Sequence, residues 1–477
     1  MIGGKWVGSR SHQIKKAFNP ATGRAIANVP FAVNEEVERA VESAAAAFDS
    51  WKGLAVPERL GYLFKMKEVL ERHFGELAIV NTQNHGKTLE ESKGDVRRSI
   101  DNVDVAISIA YTLSKGSTLD QIAQDMDEAL VKEPLGVFSI ICPFNFPLMI
   151  PFWFIPYAIV LGNVVVVKPS EITPVPMQLA AELIQDEVGL PPGVLNVVHG
   201  GSEVVESLIK HRETKGVTFV GSTRVARRVY ELAGAHGKRA IANGGAKNAI
   251  LVMPDADLDR FIPSMVSSFF GNAGQRCLAG ANLVSAGGVH EELIARFAKA
   301  AGSLRIGNGL DEGVQMGPVV SAEAKAKILR YIDAGVEEGA RLLADGRRVG
   351  LEEYPGGFYL GPSIFDGVSP EMKISREEIF GPVASALRVE DLDEGIEMIN
   401  KNSNYGNMAS IFTSDGRSAR EFRRRVDAGN IGINVGVASP AAYFPFGGRK
   451  DSFFGVLHAQ VDTVDFFTDK KVIVSRW

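Results

Sequence analysis

The stretch GNVVVVKPSE, residues 162–171, decides the fold class of this chain. Four consecutive valines form an apolar, β-branched run, and two charged residues, Lys168 and Glu171, end the stretch. A strand that is apolar at every position is buried on both faces, which is typical of a parallel sheet covered by helices. Because parallel strands need long crossover connections, the neighbouring sequence should alternate between strands and helices.

The neighbouring sequence shows that alternation. Helix-like segments such as PMQLAAELIQDEV and TRVARRVYELAGAHG separate the apolar runs. We therefore predict an α/β fold with a doubly wound parallel sheet, in which ligands bind at the carboxyl ends of the strands. The other apolar runs of this series are GVFSII (136–141), VLNVVH (194–199), GVTFVG (216–221) and AILVM (249–253).

One segment imitates a membrane span, because no charged residue occurs between Pro134 and Val167. It contains prolines at 143, 147, 151 and 156, each of which removes a helix hydrogen bond. We predict a buried strand, loop, helix and strand instead. The N-terminal sequence MIGGKWVGSRSHQIKK lacks the apolar region of a signal peptide. We expect a cytoplasmic protein without membrane association.

The sequence after about residue 245 predicts a second α/β region. The tail VDTVDFFTDKKVIVSRW alternates between polar and apolar residues and should pair with another strand, in this subunit or a second one. A length of 477 residues allows two or three domains. The second region contains helix-like EELIARFAKAAGSL and AEAKAKILRYIDAGVEEGA and strand-like ASALRV, MASIFT and GNIGINV.

Composition narrows the function classes. A net charge of -5 and 45% hydrophobic residues are typical of a soluble globular protein and leave no basic footprint for nucleic acid. We interpret the run RRR at 423–425 as a solvated helix face. The two cysteines, Cys142 and Cys277, form no CxxC pair, so neither a disulfide framework nor a metal site is indicated.

Two strand ends are candidates for phosphate binding, although no G-x-G-x-x-G fingerprint follows any predicted strand. Gly201 precedes Ser202, and Gly221 precedes Ser222, each before a predicted helix. Free N–H groups at such helix starts can bind phosphate, but both serines can equally be ordinary helix caps. Lys168 and Glu171 could hold ribose hydroxyls at a sheet end or simply lie at the solvated surface.

The stretch GNAGQRCLAG, residues 271–280, places Cys277 directly after Arg276. A fixed positive charge stabilises a thiolate, and Gly271 and Gly274 allow close backbone approach. A lone cysteine is also commonly a small buried hydrophobic residue, so the residues alone leave a nucleophile and a packing role open.

A set of five motifs is similar to the aldehyde dehydrogenase superfamily over nearly the full chain. This resemblance implies a cofactor domain (1–116 and 135–244), an α/β catalytic domain (245–445) and a small β oligomerisation element (117–134 and 446–477). A homodimer or homotetramer is expected. The motifs are CPFNFP (142–147), GNVVVVKPSE (162–171), FVGS (219–222), GQRC (274–277) and EEIFGPV (377–383).

The resemblance implies roles for individual residues. Cys277 is the expected nucleophile, which forms a thiohemiacetal with a small aldehyde, and Asn145 is the expected oxyanion donor. Hydride then leaves to a nicotinamide cofactor and a thioester remains on Cys277. Because Glu171 would repel a 2′-phosphate, NAD is expected over NADP, although NADP use stays open. The expected cofactor-binding residues are Phe144, Lys168, Glu171, Gly201, Gly221, Ser222, Glu378 and Phe380.

One departure concerns the second half-reaction. Where most of the family has a glutamate that activates water, this chain reads ANGGAKN (242–248), with Ala242 or Asn243 at that place. Neither side chain is a base at neutral pH, so hydrolysis of the thioester should be slow. The similar GAKN occurs in the methylmalonate-semialdehyde dehydrogenases, which pass the acyl group to coenzyme A.

That subfamily binds the substrate carboxylate with two arginines, which match Arg276 and Arg98. Arg98 could equally be a surface charge, and the segment YFPFGGRKDSFFGVLHAQ (443–460) follows the wider family. The expected activity is NAD-dependent, CoA-acylating oxidation of malonate or methylmalonate semialdehyde. The alternative is a hydrolytic dehydrogenase that releases a free acid. A non-redox cysteine acyltransferase or a retired structural protein is less compatible with the motifs.

Overall fold

A computed structural model describes residues 1–112 and 114–477. The strands within these ranges are β1 Ile14–Asn19, β2 Arg24–Pro30, β3 Ser117–Ala123, β4 Met126–Pro134, β5 Val137–Ile141, β6 Val164–Lys168, β7 Leu195–Val197, β8 Thr214–Val220, β9 Arg239–Asn243, β10 Asn248–Val252, β11 Gly280–Ala286, β12 Arg341–Ala344, β13 Ser363–Asp366, β14 Val383–Val389, β15 Tyr405–Gly406, β16 Met408–Phe412, β17 Asn430–Ile433, β18 Arg449–Lys450, β19 Phe453–Phe454 and β20 Thr468–Arg476.

The α-helices connect these strands and cover the faces of the sheets. In chain order they are α1 Asn34–Lys52, α2 Val56–Arg72, α3 Phe74–His85, α4 Leu89–Ile109, α5 Met149–Phe152, α6 Ile155–Val160, α7 Val175–Leu183, α8 Ser202–Lys210, α9 Thr223–Ala235, α10 Leu258–Phe270, α11 His290–Gly302, α12 Ala322–Glu337, α13 Lys373–Arg376, α14 Leu392–Lys401, α15 Gly416–Arg425 and α16 Thr463–Phe467.

A six-stranded sheet in the order β19-β9-β8-β5-β6-β7 contains the stretch that decides the fold class. Its strands β5 to β9 run parallel, and β19 joins the β9 edge antiparallel. All five residues of β5 and of β6 are buried, because helices cover both faces. The predicted parallel, doubly wound sheet is confirmed.

The second large sheet has seven strands in the order β12-β13-β14-β11-β10-β16-β17. The strand β10 contains the first four residues of the run AILVM and belongs to this sheet, so grouping that run with the first series was wrong, whereas the expected start of the second region at about residue 245 agrees with it. An apolar strand has the same composition in either sheet, so the run alone does not indicate the sheet to which it belongs. The strands and helices predicted for the second region are confirmed.

The uncharged segment from Pro134 to Val167 forms β5, two short helices and most of β6, as predicted. Its residues from Ile155 to Val160 are all buried. Across residues 1–112 and 114–477, no helix combines the length and apolar character needed to cross a membrane. The segment is therefore protein core.

A three-stranded antiparallel sheet, in the order β20-β4-β3, lies apart from the two large sheets. The C-terminal tail pairs with β4 over its whole strand, from Thr468 opposite Pro134 to Arg476 opposite Met126. Its first part departs from the predicted strand, because residues 463–467 form α16 and bury Phe466 and Phe467 against Phe138. Packing of these aromatic rings overrides the local alternation.

Candidate active site

The two large sheets meet end to end. Asn145 follows the carboxyl end of β5, and its side-chain amide donates to the carbonyl oxygen of Gln275, at 3.1 Å. Gln275 lies in the loop before β11, at the amino end of that strand. The carboxyl ends of one parallel sheet therefore face the amino ends of the other, and the candidate site lies between them.

Cys277 lies in the loop between α10 and β11, which has an unusual backbone. Asn272 and Ala273 both adopt left-handed conformations, with φ of 55° and 50°, in spite of their side chains. At Gly274, φ is +72° and a Cβ atom would lie 2.2 Å from the carbonyl oxygen of Gly381. Glycine is required there because the loop passes directly against residues 381–382.

Two buried asparagines hold the carbonyl oxygen of Cys277. The side-chain amides of Asn248 and Asn407 each donate to it at 2.8 Å. Asn248 begins β10 and Asn407 precedes β16, so both belong to strands adjacent to each other in the seven-stranded sheet. No local sequence pattern points to either residue, since they lie 29 and 130 positions from the cysteine.

The Cys277 thiol is partly buried and not ionised by its neighbours. Burial raises the pKa of the thiol to about 12, and the adjacent Arg276 offsets this only slightly. The guanidinium of Arg276 points instead to Glu91, with an Nη2–Oε1 distance of 2.7 Å. The positive charge of Arg276 therefore stabilises the thiolate only weakly in this state, because a carboxylate already pairs with the guanidinium.

The carboxylate of Glu91 has two tasks. One oxygen accepts the backbone N–H of Thr88, at 3.0 Å, and completes a capping box at the start of α4. The other accepts from the backbone N–H of Asn272, at 2.6 Å, as well as from Arg276. Glu91 thereby fastens the left-handed part of the cysteine loop to α4.

Arg98 also lies on α4 and is partly buried. Its Nη1 atom donates to the carbonyl oxygen of Pro440 at 2.9 Å. The preceding Arg97 is exposed and paired with Glu71, so Arg97, rather than Arg98, is the surface charge of this part of α4. Glu91 and Arg98 share one face of α4 and are separated by about 10 Å along its axis. The structure thus places Arg98 on the same helix face as the Glu91–Arg276 pair.

At the end of β6, Lys168 and Glu171 form a pair. The Lys168 ammonium donates to Glu171 at 3.2 Å and to the carbonyl oxygen of Gly200 at 2.8 Å. Burial alone would raise the pKa of Glu171, but the charges of Lys168 and Lys15 help to lower it. Lys168 is buried, so the solvated-surface alternative fails for it. Glu171 is an ionised carboxylate at the sheet end.

The serines at the next two strand ends differ from ordinary caps. Ser222 occupies the N-cap position of α9, yet its hydroxyl makes no capping hydrogen bond. Ser202 is the first residue of α8, where Gly201 takes the N-cap position. A Cβ atom on Gly201 would approach the Phe31 ring to 3.1 Å, and one on Gly221 the Phe219 ring to 2.5 Å. Both glycines are therefore packed against aromatic rings, where a side chain would not fit.

Three further predicted residues come together from distant parts of the chain. The rings of Phe144 and Phe380 are in edge contact, with centroids 5.7 Å apart. Glu378 accepts from the backbone N–H of Ala246 at 2.8 Å, and burial raises the pKa of its carboxyl. Phe380 has a left-handed backbone, with φ of 59°. Glu378 and Phe380 line a small cavity together with Ala246 and Arg276.

At the carboxyl end of β9, Ala242 and Asn243 are both buried. The amide nitrogen and oxygen of Asn243 have no hydrogen-bond partner among the residues that the structure describes. Neither position carries a group that could remove a proton from water at neutral pH.

Fold and site together define an α/β oxidoreductase with a cysteine at the junction of two parallel sheets. The model of the aldehyde dehydrogenase family matches residues 6–473, and this chain belongs to that family. The predicted resemblance is thereby confirmed.

Relatives match over the full chain. Malonate-semialdehyde dehydrogenase 1 of Geobacillus kaustophilus is 47% identical over 477 residues, which covers 100% of this chain and 97% of the relative. The crystal structure of methylmalonate-semialdehyde dehydrogenase from Oceanimonas doudoroffii has a TM-score of 0.97 and 38% identity and covers 100% of this chain and 97% of that one. The crystal structure of PnpE in complex with nicotinamide adenine dinucleotide has a TM-score of 0.95 and 29% identity and covers 100% of this chain and 96% of that one.

Proposed function

We propose that this chain oxidises an aldehyde that carries a carboxylate, namely malonate or methylmalonate semialdehyde, with NAD as oxidant and coenzyme A as acyl acceptor. The observation that carries the proposal is the hydrogen bond that brings the Asn145 amide to Gln275, two residues before Cys277, at a junction where β9 ends without a carboxylate base. The full-length similarity to malonate-semialdehyde dehydrogenases supports this substrate class.

Cys277 is the proposed nucleophile. Its sulfur attacks the carbonyl carbon of the aldehyde, and the carbonyl oxygen becomes negatively charged. The Asn145 amide has two N–H groups, of which Gln275 takes one, so the other can stabilise this oxygen together with the Cys277 N–H. Because the Cys277 carbonyl is fixed by two asparagines, the loop presents its sulfur with little freedom.

The residues at the sheet ends fit NAD. Lys168 and Glu171 offer a donor and an acceptor to ribose hydroxyls, and the Ser222 hydroxyl, free of any capping bond, could donate to a pyrophosphate oxygen. Glu378 and Phe380 would hold the nicotinamide ribose. When bound, this cofactor accepts the hydride that leaves the aldehyde carbon.

The thioester left on Cys277 is proposed to react with a thiol. Ala242 and Asn243 supply no base for water, whereas a thiol is intrinsically the better nucleophile and needs less activation. The acyl group therefore passes to coenzyme A and Cys277 is regenerated.

Arg98 and Arg276 are proposed to bind the substrate carboxylate. Guanidinium groups bind carboxylates through paired hydrogen bonds, and both side chains retain donors beyond those used by Pro440 and Glu91. A semialdehyde of three or four carbons can place its aldehyde at Cys277 and its carboxylate toward α4.

The test is a steady-state assay of NADH formation from malonate semialdehyde, methylmalonate semialdehyde and propanal, with and without coenzyme A. We expect a strong increase with coenzyme A, an acyl-CoA product, and a much lower KM for the semialdehydes than for propanal. Full-rate turnover without coenzyme A, with a free acid as product, would establish the hydrolytic alternative.

We further propose that the three-stranded sheet (117–134 with the tail of 446–477) joins subunits into a homodimer or homotetramer. All seven residues of β3 are exposed, and so are the apolar side chains of Leu119, Val472 and Trp477. Apolar strands at a sheet edge need a partner. Light scattering on the protein and on Val472→Asp tests this, with monomeric wild-type protein as the contradicting result.

The remaining division, a cofactor domain of 1–116 and 135–244 and a catalytic domain of 245–445, is proposed on the two large sheets. The short strand β19 lies in the cofactor sheet although it falls within 446–477. A cytoplasmic location is proposed on the free thiols of Cys142 and Cys277 and is tested by cell fractionation.

A further inference from the structure

A buried ion pair lies directly beneath the segment that carries Asn145. The Lys87 ammonium and the Asp95 carboxylate are 2.9 Å apart, and both side chains are completely buried. Lys87 immediately precedes the cap of α4, and Asp95 lies two turns into that helix. None of the roles described above uses either residue.

This pair holds the Asn145 segment at both ends. Lys87 Nζ donates to the backbone carbonyl oxygen of Asn145 at 2.7 Å. Asp95 Oδ1 accepts the backbone N–H of Met149 at 2.7 Å. Lys87 Nζ also lies 4.3 Å from the centre of the Phe146 ring. Residues 145–149 are therefore fixed by one charge of each sign.

The remaining carboxylate oxygen of the pair also has its hydrogen-bond donors. Asp95 Oδ2 accepts from the side-chain amide of Asn81 at 2.9 Å in addition to Lys87. Buried ion pairs add little net stability compared with apolar residues of the same shape, so stability alone is a weak reason for this arrangement. A donor to a developing oxyanion, by contrast, has to be held within a few tenths of an ångström.

We propose that Lys87 and Asp95 are positioning residues that orient Asn145 as the oxyanion donor. Lys87 fixes the Asn145 peptide group through its carbonyl oxygen, and that peptide group sets the direction of the side-chain amide. Asp95 balances the charge and fixes the next turn of chain. The inference rests on the proposed catalytic role of Asn145.

The experiment is a thermodynamic cycle on hydride transfer, measured as the single-turnover rate of NADH formation in the full-length protein. The variants are Lys87→Met, Asn145→Ala and the two combined. Lys93→Met is the matched control, because Lys93 lies on the same helix in an exposed pair with Glu90. If Lys87→Met does not fold, the neutral variant Lys87→Met with Asp95→Asn replaces it in the cycle.

We expect Lys87→Met to slow hydride transfer by about 10–100-fold, for propanal as much as for the semialdehydes, with unchanged NAD affinity. Combined with Asn145→Ala, it should cause no further loss, since it acts only through Asn145. Lys93→Met should react at the wild-type rate.

Two results overturn the inference, and they are distinguishable. Suppose first that Asn145→Ala is slow. If Lys87→Met alone reacts at the wild-type rate, or if it lowers the rate of the Asn145→Ala variant further, only the positioning role fails. If Asn145→Ala itself reacts at the wild-type rate, the proposed role of Asn145 fails and the inference fails with it.

Discussion

The two sides of the site are built in different ways. On the side of the six-stranded sheet, Asn145, Lys168 and Ser222 lie at or just after the carboxyl ends of strands, where parallel sheets generally bind ligands. On the opposite side, Cys277 precedes a strand and is held by Asn248 and Asn407 at the amino ends of two others. The first side is defined by sheet geometry, and the second by side-chain contacts between distant segments.

This difference explains how far the sequence predicts the site. A strand end can be located from the apolar run before it, so Lys168 and Glu171 could be placed from composition and spacing. Asn407 contacts Cys277 across 130 positions, and no local pattern signals that contact. For Cys277 the local residues leave a nucleophile and a packing role open, and only the family motifs together favour the nucleophile.

The fold follows the same rule. Buried strands of the parallel sheets were found because continuous apolar runs are distinctive. The apolar run of β10 does not indicate its sheet, since membership depends on where residues 244–247 lead the chain, and only the family resemblance places the domain boundary before it. The helix α16 was missed because its aromatic residues pack against Phe138, which is a tertiary effect.

The largest expected effect contrasts the two cysteines. Cys277→Ser should lower NADH formation by at least about 10³-fold, because an alcohol at this position is a far weaker nucleophile than a thiol. Affinity for NAD, measured by calorimetry, should remain near that of the wild type. Cys142→Ala is the control, since Cys142 is buried in the first sheet, and it should retain activity. Unchanged turnover in Cys277→Ser would remove the nucleophile.

A second prediction concerns pH. Since burial raises the pKa of the Cys277 thiol to about 12, the thiolate fraction in the protein without ligands rises through the whole range below that value. Iodoacetamide labelling of Cys277, followed by mass spectrometry, should therefore accelerate about tenfold per pH unit between about pH 7 and 10. A plateau below pH 8 would mean that a neighbouring group ionises the thiol after all.

The third prediction tests the side of the site where Asn248 and Asn407 hold Cys277. Asn407→Ala removes one of the two donors to the Cys277 carbonyl and should lower kcat about tenfold, with little change in NAD affinity. Asn308→Ala, in an ordinary turn, serves as control. Wild-type kcat in Asn407→Ala would show that Asn248 alone fixes the loop.

The smallest effect on activity is expected at the carboxyl ends of the strands in the six-stranded sheet. Glu171→Gln removes the negative charge that opposes a 2′-phosphate, so kcat/KM for NADP relative to NAD should rise by about threefold to tenfold. The exposed Glu203→Gln provides a charge-matched comparison. An unchanged ratio would place the discrimination elsewhere, for example at Lys15 beside Glu171.

The ion pair between Glu91 and Arg276 also affects how an anionic substrate would bind. In the proposed binding mode, an anionic tail reaches the donors of Arg276 that Glu91 leaves free, and the Glu91 carboxylate keeps its bonds to Arg276 and to Thr88 at the positive end of α4. Both carboxylates therefore have hydrogen-bond donors when the anion is bound. An uncharged aldehyde leaves the existing pair untouched and gains nothing from the arginine.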